Sequence, residues 1–86
     1  MLVYETAKFK KQRKMLAAGP EKEALKKAVL DVISNPETEM KFQGELSGLR
    51  HFNYQVSDRT NKMIYKLTAD SIVFMSLGPR HTIVTS

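Results

Sequence analysis

The sequence has 86 residues, 42% of them apolar, with no cysteine and two histidines, which predicts one domain over residues 1–86 and excludes disulfides and thiolate-bound metals. No apolar run reaches the roughly 18–20 residues of a membrane span and no signal-peptide core is present, so we expect a cytoplasmic protein without membrane contacts. A formal net charge of +5 favours an anionic partner, although small domains also carry excess cations for solubility alone.

The N-terminal residues predict a short strand followed by a basic helix. Residues 2–4 have β-prone side chains, and Thr6 is a suitable N-cap for a helix from Ala7 to Ala18. Residues 1–20 hold five basic side chains and one acidic, so this helix carries much of the positive charge. Gly19 fits the position that follows a helix, because glycine adopts a positive φ without strain.

A second helix is predicted from Glu21 to Ser34, with Pro20 in its first turn. Its apolar side chains recur every three or four residues and form one face: Leu25, Ala28, Val29, Val32 and Ile33. Asn35-Pro36 ends the helix, because the residue before a proline avoids the helical conformation. Since only two residues separate the helices, we predict an antiparallel helical hairpin packed on one face of a sheet.

Residues 36–47 form a polar loop, and three strands follow it. Apolar and polar side chains alternate in residues 52–56 and 62–67, and residues 72–77 are a nearly continuous apolar run that ends at Gly78-Pro79. The polar turns between the strands are so short that they require antiparallel neighbours. The order is therefore β-α-α-β-β-β, an α+β domain with the helical hairpin on one face of a twisted, mainly antiparallel sheet.

The chain lacks the common patterns of nucleophilic and nucleotide-binding sites. There is no Ser-His-Asp, Cys-His, P-loop or dinucleotide-binding arrangement, and no metal or cofactor is predicted. Three acidic residues cluster in the loop: Glu37, Glu39 and Glu45. They lie in a polar stretch, so we interpret them as solvated acids and not as the paired carboxylates of a hydrolase.

Two Arg-His pairs, Arg50-His51 and Arg80-His81, are the best candidates for chemistry. Imidazole groups transfer protons near neutral pH, and guanidinium groups bind phosphate through two parallel hydrogen bonds. Cleavage of RNA without a metal needs a base, an acid and cations on the phosphate. Such pairs are also common on protein surfaces, so spacing alone leaves a merely structural interpretation open.

Several features of the chain together resemble one known family. They are the order of the elements, the Asn-Pro that ends the second helix, the motif LSGL before the second strand, and the segment NKMIYKLTADSIVFMSLGPR. These features are similar to those of the RelE/ParE toxin superfamily of bacterial type II toxin–antitoxin modules. The resemblance covers nearly the whole chain, and its motifs identify the fold better than the activity.

The resemblance implies a toxin that is a ribosome-dependent mRNA endonuclease, an mRNA interferase that cuts codons in the ribosomal A site and blocks translation without a metal. The implied catalytic residues are His81, His51 and Arg80, with Arg80 on the scissile phosphate. The candidate phosphate- or RNA-binding residues are Lys62, Arg50, Arg59 and Lys66. Two lysines used by RelE-like members fall at Asn53 and Gln55, whose amides transfer no protons, so histidine chemistry of the YafQ and YoeB type is expected.

Two alternatives remain open at the level of the sequence. The same fold occurs in gyrase-inhibiting ParE-like toxins, which bind their target without cutting RNA. A degenerate toxin would serve only as an antitoxin-binding and operator-regulating module. In every case we predict a cognate acidic antitoxin, partly disordered until it folds on the basic toxin, and contact with operator DNA only through that antitoxin.

Overall fold

The computed structural model describes residues 2–16, 18–36 and 49–79 of the chain. Its elements are, in chain order, β1 (Leu2–Glu5), α1 (Ala7–Lys14), α2 (Pro20–Ser34), β2 (Leu49–Val56), β3 (Arg59–Leu67) and β4 (Ser71–Pro79). This order confirms the predicted β-α-α-β-β-β arrangement. Most of the loop predicted before the second strand lies outside the described residues.

The four strands form one sheet in the order β1-β4-β3-β2. β3 pairs antiparallel with both of its neighbours, whereas β1 pairs in parallel with β4, so the sheet is mainly antiparallel as predicted. The β2–β3 hairpin closes at Val56 opposite Arg59, and its turn contains only Ser57 and Asp58. Ser57 has a positive φ of 55°, which suits the first residue of a tight two-residue hairpin turn.

A β-bulge in β4 changes which of its side chains face the helices. Ile64 and Tyr65 are adjacent in β3 but pair with Ser76 and Phe74, so Met75 is an extra residue in β4. Three apolar residues of β4 are buried in the core with this uneven spacing: Ile72, Phe74 and Leu77. The bulge therefore explains why residues 72, 74 and 77 of this nearly continuous apolar run all face the helices.

The start of α1 is attached to the backbone around this bulge. The Thr6 hydroxyl donates to the Met75 carbonyl at 2.9 Å and accepts from the Phe9 amide at 3.1 Å, which makes Thr6 the N-cap of α1 as predicted. Farther along α1, the Gln12 side-chain oxygen accepts a hydrogen bond from the Leu77 amide at 2.9 Å. Side chains of α1 thus bind backbone groups on both sides of the bulge.

We expect Thr6→Ala to lower the free energy of unfolding by about 1–3 kcal/mol, because it removes both a helix cap and a hydrogen bond to β4. Thr6→Ser is the matched control, since it keeps the hydroxyl and removes only the methyl group. Urea denaturation of the three proteins measures the difference. Equal losses in the serine and alanine variants would show that the hydroxyl does not stabilise the fold.

The core lies between the two helices and one face of the sheet. α1 packs against β4, and α2 packs against β2. The helices contribute Phe9, Leu25, Ala28 and Val32, and the strands contribute Tyr54, Val56, Met63, Tyr65, Ile72, Phe74 and Leu77. The ring centroids of Phe9 and Tyr65 lie 5.4 and 6.1 Å from that of Phe74. The Tyr65 hydroxyl donates to the Pro36 carbonyl at 2.7 Å, which satisfies the polar end of this buried side chain.

The region between the helices differs from the sequence prediction. α1 ends at Lys14 instead of Ala18, and its C-cap, Met15, is 76% exposed. Because the Met15 side chain is so exposed, it adds little packing energy that would extend the helix. Gly19 therefore does not follow α1 directly. It is the N-cap of α2 and has a φ of 96°.

Two further predictions about apolar and strand positions are wrong. Ile33 was expected on the buried face of α2 but is 37% exposed, because it lies at the edge of the face that packs on the sheet. β4 does not end before Gly78-Pro79 but continues through Pro79, which pairs with Asn61. Proline is tolerated there because β1 pairs with β4 only as far as Phe74, so at Pro79 the described sheet continues on one side of β4 alone.

β1 and α1 are joined by an ion pair between Glu5 and Arg13. Arg13 Nη2 donates to Glu5 Oε1 at 2.7 Å, and Arg13 Nε donates to Glu5 Oε2 at 3.1 Å. This hydrogen bonding from Arg13 lowers the pKa of Glu5 below its ordinary value of 4.5, although partial burial opposes the change. The pair therefore favours the ionised carboxylate in the folded protein.

We expect this pair to contribute stability above about pH 4.5 and to lose that contribution as the pH falls through the lower, folded-state pKa of Glu5. The side chains are 41% and 31% exposed, so the effect is small and decreases with salt. Urea denaturation of the wild type and Glu5→Gln from about pH 3 to about pH 7 tests this. A difference between them that does not vary with pH would contradict it.

Candidate functional site

The sheet has one face that packs on the helices and another that is turned away from them, here called the reverse face. Because side chains alternate along a strand, the partners of reverse-face residues on the neighbouring strand lie on the same face. In β2 and β3 the reverse face carries Leu49, His51, Asn53, Gln55, Thr60, Lys62, Ile64 and Lys66. Three of the seven predicted site residues, His51, Lys62 and Lys66, are therefore on one surface.

His51 lies between the two lysines on this face. It stands opposite Ile64 in β3, so Lys62 and Lys66, two residues to either side of Ile64, are its diagonal neighbours. Diagonal neighbours on one face of a sheet are about 7–8 Å apart at Cα, which lets long side chains approach each other. The arrangement places an imidazole where two cations can bind the same polyanion.

Lys62 has the most unusual environment of the predicted site residues. It is only 7% exposed, and its partners across the sheet are Asn53 in β2 and Gly78 in β4. Within residues 2–16, 18–36 and 49–79, no carboxylate forms an ion pair with it. Lysines are rarely this buried without an anionic partner, so this environment suits a bound anion.

The amides on the reverse face, Asn53 and Gln55, lie on the Lys62 side of His51. Asn53 and Gln55 are both exposed, and the Gln55 side-chain oxygen accepts a hydrogen bond from the Thr60 hydroxyl at 3.0 Å. Neither amide can donate or accept a proton in catalysis. In the described part of this face, His51 is therefore the residue with chemistry suited to proton transfer near neutral pH.

The structure separates Arg50 and Arg59 from this group. Arg50 pairs with the buried Tyr65 and so lies on the helix-bearing side of β2. Arg59 stands opposite Val56 on the same side and forms an ion pair with Glu21 in the first turn of α2. Arg50 and His51 are neighbours in the sequence but point to opposite faces. The other Arg-His pair, Arg80 and His81, lies outside the described residues.

A buried polar pair that the sequence analysis missed lies on the core side of the β2–β3 hairpin. Tyr54 and Asn61 stand opposite each other, and both are more than nine-tenths buried. Burial raises the pKa of the Tyr54 hydroxyl; the Asn61 amide opposes this, and the charge of Glu21 adds to it. The signal in the sequence was Asn61, a polar residue at a strand position that the alternation assigns to the core. Because the pair faces the core, it belongs to the fold and not to the reverse face.

Metal-binding clusters and membrane-spanning helices do not occur in residues 2–16, 18–36 and 49–79. No group of three or more His, Asp or Glu side chains there is arranged to hold a metal ion. In the same part of the chain, neither helix has the length and apolar composition needed to cross a membrane.

Comparison with known proteins identifies the family of the sequence. The sequence profile of ParE-like toxins of type II bacterial toxin–antitoxin systems matches residues 3–84. No curated protein sequence is significantly similar to the chain.

Solved structures of related toxins share the fold. A chain of the intact E. coli RelBE toxin–antitoxin complex is 15% identical, with a TM-score of 0.73 over 91% of this chain and 94% of that one. YafQ from E. coli strain BL21(DE3) is 20% identical, with a TM-score of 0.67 over 96% and 97%. A YoeB/ParE toxin from Agrobacterium tumefaciens is 8% identical, with a TM-score of 0.71 over 93% and 99%. These similarities concern the fold, and the profile match extends over nearly the whole sequence. The chain belongs to the ParE-like toxin family of type II bacterial toxin–antitoxin systems.

Proposed function

We propose that this toxin is an mRNA endonuclease that acts on the translating ribosome in the cytoplasm. The observation that supports this most directly is the reverse face, where His51 lies diagonally between Lys62 and Lys66. RNA cleavage without a metal needs a proton-transfer group beside cations that bind the phosphate. A buried lysine without a carboxylate partner among the described residues fits the second requirement.

In the proposed reaction, His51 accepts the proton of a ribose 2′-hydroxyl as its oxygen attacks the adjacent phosphorus. The bond between phosphorus and the 5′-oxygen breaks, and that oxygen takes a proton from His81. The products are a 2′,3′-cyclic phosphate and a 5′-hydroxyl. Lys62 and Arg80 bind the scissile phosphate, whose negative charge increases in the transition state, and Lys66 binds a neighbouring phosphate. Arg50 and Arg59, on the other side of the sheet, would contact RNA away from the scissile bond.

His51→Gln should reduce cleavage by about 10²–10⁴-fold, because glutamine fills similar space but transfers no proton. Toeprinting on translating ribosomes measures cleavage, and growth after induction without antitoxin measures toxicity. Asn53→Ala is a control on the same strand and face, and it should retain most of the activity. Full cleavage by His51→Gln would exclude His51 as the base.

A second candidate function is inhibition of DNA gyrase by binding alone. Two observations favour it: the matching profile is that of ParE-like toxins, and amides occupy positions 53 and 55 on the reverse face. Supercoiling by purified gyrase and toeprinting on ribosomes, each with the same toxin preparation, separate the two functions. Loss of supercoiling without mRNA cleavage would establish gyrase as the target. Growth without arrest after expression alone would instead indicate a degenerate toxin that only binds antitoxin and regulates its operator.

The partner in each case is a cognate antitoxin. The similarity to a chain of the RelBE toxin–antitoxin complex supports such a partner, and the basic surface of this domain favours an acidic one. Contact with operator DNA is proposed only through that antitoxin.

A further inference from the structure

β4 has a different partner on each of its two edges, and the partner on one edge changes along the strand. On the inner edge, β3 pairs with β4 as far as Pro79. On the outer edge, β1 pairs with β4 only from Ser71 to Phe74. Beyond Phe74 no other strand of the described sheet borders this edge, and side chains of Thr6 and α1 bond to it instead. The end of β4 therefore depends on these side chains for its outer hydrogen bonds.

Three backbone groups of β4 bond to the α1 region in succession. The Thr6 amide donates to the Phe74 carbonyl at 3.0 Å, and the Thr6 hydroxyl donates to the Met75 carbonyl at 2.9 Å. Successive carbonyls of a regular strand point to opposite edges, and the bulge turns both of these towards Thr6. Beyond the bulge, the Leu77 amide donates to the Gln12 side-chain oxygen at 2.9 Å. Gln12 thus supplies an acceptor that β1 is too short to supply.

The residue type at position 12 is unusual for its surroundings. Gln12 is the neutral residue of the basic run KKQRK, which occupies positions 10–14. Lysine and arginine side chains carry only hydrogen-bond donors, so neither could accept from a backbone amide. Leu77 is 4% exposed, and an amide at such a site needs a partner within the protein. Position 12 therefore requires an acceptor where its neighbours in the sequence are cations.

The backbone that Gln12 holds borders the proposed phosphate site. Leu77 stands opposite Met63 in β3, and the next residue, Gly78, stands opposite Lys62. Lys62 is 7% exposed, because β4 lies close beside it on one side and β2 on the other. The hydrogen bond from Leu77 to Gln12 is therefore one residue away from the backbone that encloses Lys62.

We propose that Gln12 is a positioning residue for the phosphate site. By accepting from the Leu77 amide, it holds the end of β4 against β3 and so fixes Lys62 where a phosphate binds. Gln12 touches no substrate and acts through Leu77 and Gly78. This inference rests on the role of Lys62 in the proposed function. Without the acceptor, the outer edge of β4 would lose this bond beyond the bulge, and a displacement of about 1 Å at a reacting group lowers rates by up to about 100-fold.

The test compares three variants of α1. Gln12→Met keeps the length of the side chain and removes the acceptor, whereas Gln12→Glu keeps an acceptor oxygen. Lys10→Gly is the matched control, because it destabilises the same helix at an exposed position that has no hydrogen bond to β4. Cleavage is measured in single turnovers on programmed ribosomes, at a temperature where circular dichroism shows every variant to be folded.

We expect Gln12→Met to slow cleavage at saturating toxin by about 10–100-fold. The toxin concentration that gives half-maximal cleavage should change by less than about threefold, because binding elsewhere on the ribosome is retained. Gln12→Glu and Lys10→Gly should cleave at rates within about threefold of the wild type. The proposal would be overturned by a wild-type rate for Gln12→Met, or by Gln12→Glu being as slow as Gln12→Met.

A double-mutant cycle with Lys62→Met separates positioning from a general loss of stability. If Gln12 acts through Lys62, Gln12→Met should slow the Lys62→Met protein by less than about threefold, although it slows the wild type far more. A merely structural contact would reduce the rate by the same factor in both backgrounds. That result would overturn the proposal.

Nuclear magnetic resonance provides a readout that does not need cleavage. In Gln12→Met, the amide resonances of Lys62 and Gly78 should shift, and the dissociation constant of inorganic phosphate followed through Lys62 should rise by about 3–10-fold. Lys10→Gly should change neither. Unchanged resonances and phosphate binding would overturn the positioning role even in an active nuclease. A wild type that cuts no mRNA would contradict the proposed function, and the resonances would still decide whether Gln12 positions Lys62.

Discussion

Lys62→Met should remove most of the toxic activity and leave the domain folded. Methionine has nearly the length and shape of the lysine stem, so it can fill a position that is only 7% exposed. The substitution removes the positive charge of the buried Lys62, which lies between Asn53 in β2 and Gly78 in β4. Loss of a single group that stabilises transition-state charge lowers rates by about 10²–10³-fold, which we expect for mRNA cleavage.

The matched control is Lys8→Met, a lysine-to-methionine change at an exposed position on α1. It should leave cleavage and growth arrest unchanged. Circular dichroism and urea denaturation of both variants show whether the fold is retained. Cleavage by a folded Lys62→Met protein at the wild-type rate would exclude Lys62 from the phosphate site.

Phe74→Ala should be the most destabilising single substitution in the described core. Phe74 is 2% exposed and contacts the rings of Phe9 and Tyr65, so it links α1, β3 and β4. Replacing a buried phenylalanine by alanine costs about 3–5 kcal/mol. A domain of this size has a free energy of unfolding of roughly 4–13 kcal/mol, so much of the stability would be lost.

Urea denaturation monitored by circular dichroism measures this effect. Leu30→Ala is the control, because Leu30 is an apolar residue of α2 that is 55% exposed, and its truncation should change stability by less than about 1 kcal/mol. The predicted role of the aromatic cluster would be wrong if the two variants had similar midpoints. Antitoxin should partly restore the Phe74→Ala protein, because a ligand that binds only the folded state stabilises it.

The elements that the sequence predicts best are those set by local patterns. The apolar face of α2 and the alternation in β2 and β3 follow from neighbouring residues, and they recur in the structure. The end of α1 and the bulge at Met75 cannot be predicted from neighbouring residues, because both depend on contacts between distant segments. An apolar run such as residues 72–77 carries no alternation from which a bulge could be located.

The site was harder to predict than the fold. The two-residue period of a strand already implies that Arg50 and His51 point to opposite faces, so their adjacency in sequence was a poor guide to a shared site. The pairing of Arg59 with Glu21 joins residues 38 apart in the chain, and no local pattern indicates it. The burial of Lys62 likewise depends on the strands on either side of it.

The parallel pairing of β1 with β4 has a consequence for the synthesis of the toxin. Thr6 and Met75, which are hydrogen-bonded, are separated by 69 residues in the chain. At elongation rates of about 5–20 residues per second, roughly 3–14 seconds pass between their incorporation. Until β4 leaves the exit tunnel, the nascent helices have no Phe74 or Ile72 to pack against. The folded domain therefore forms only after every described strand has been synthesised and β4 has left the tunnel.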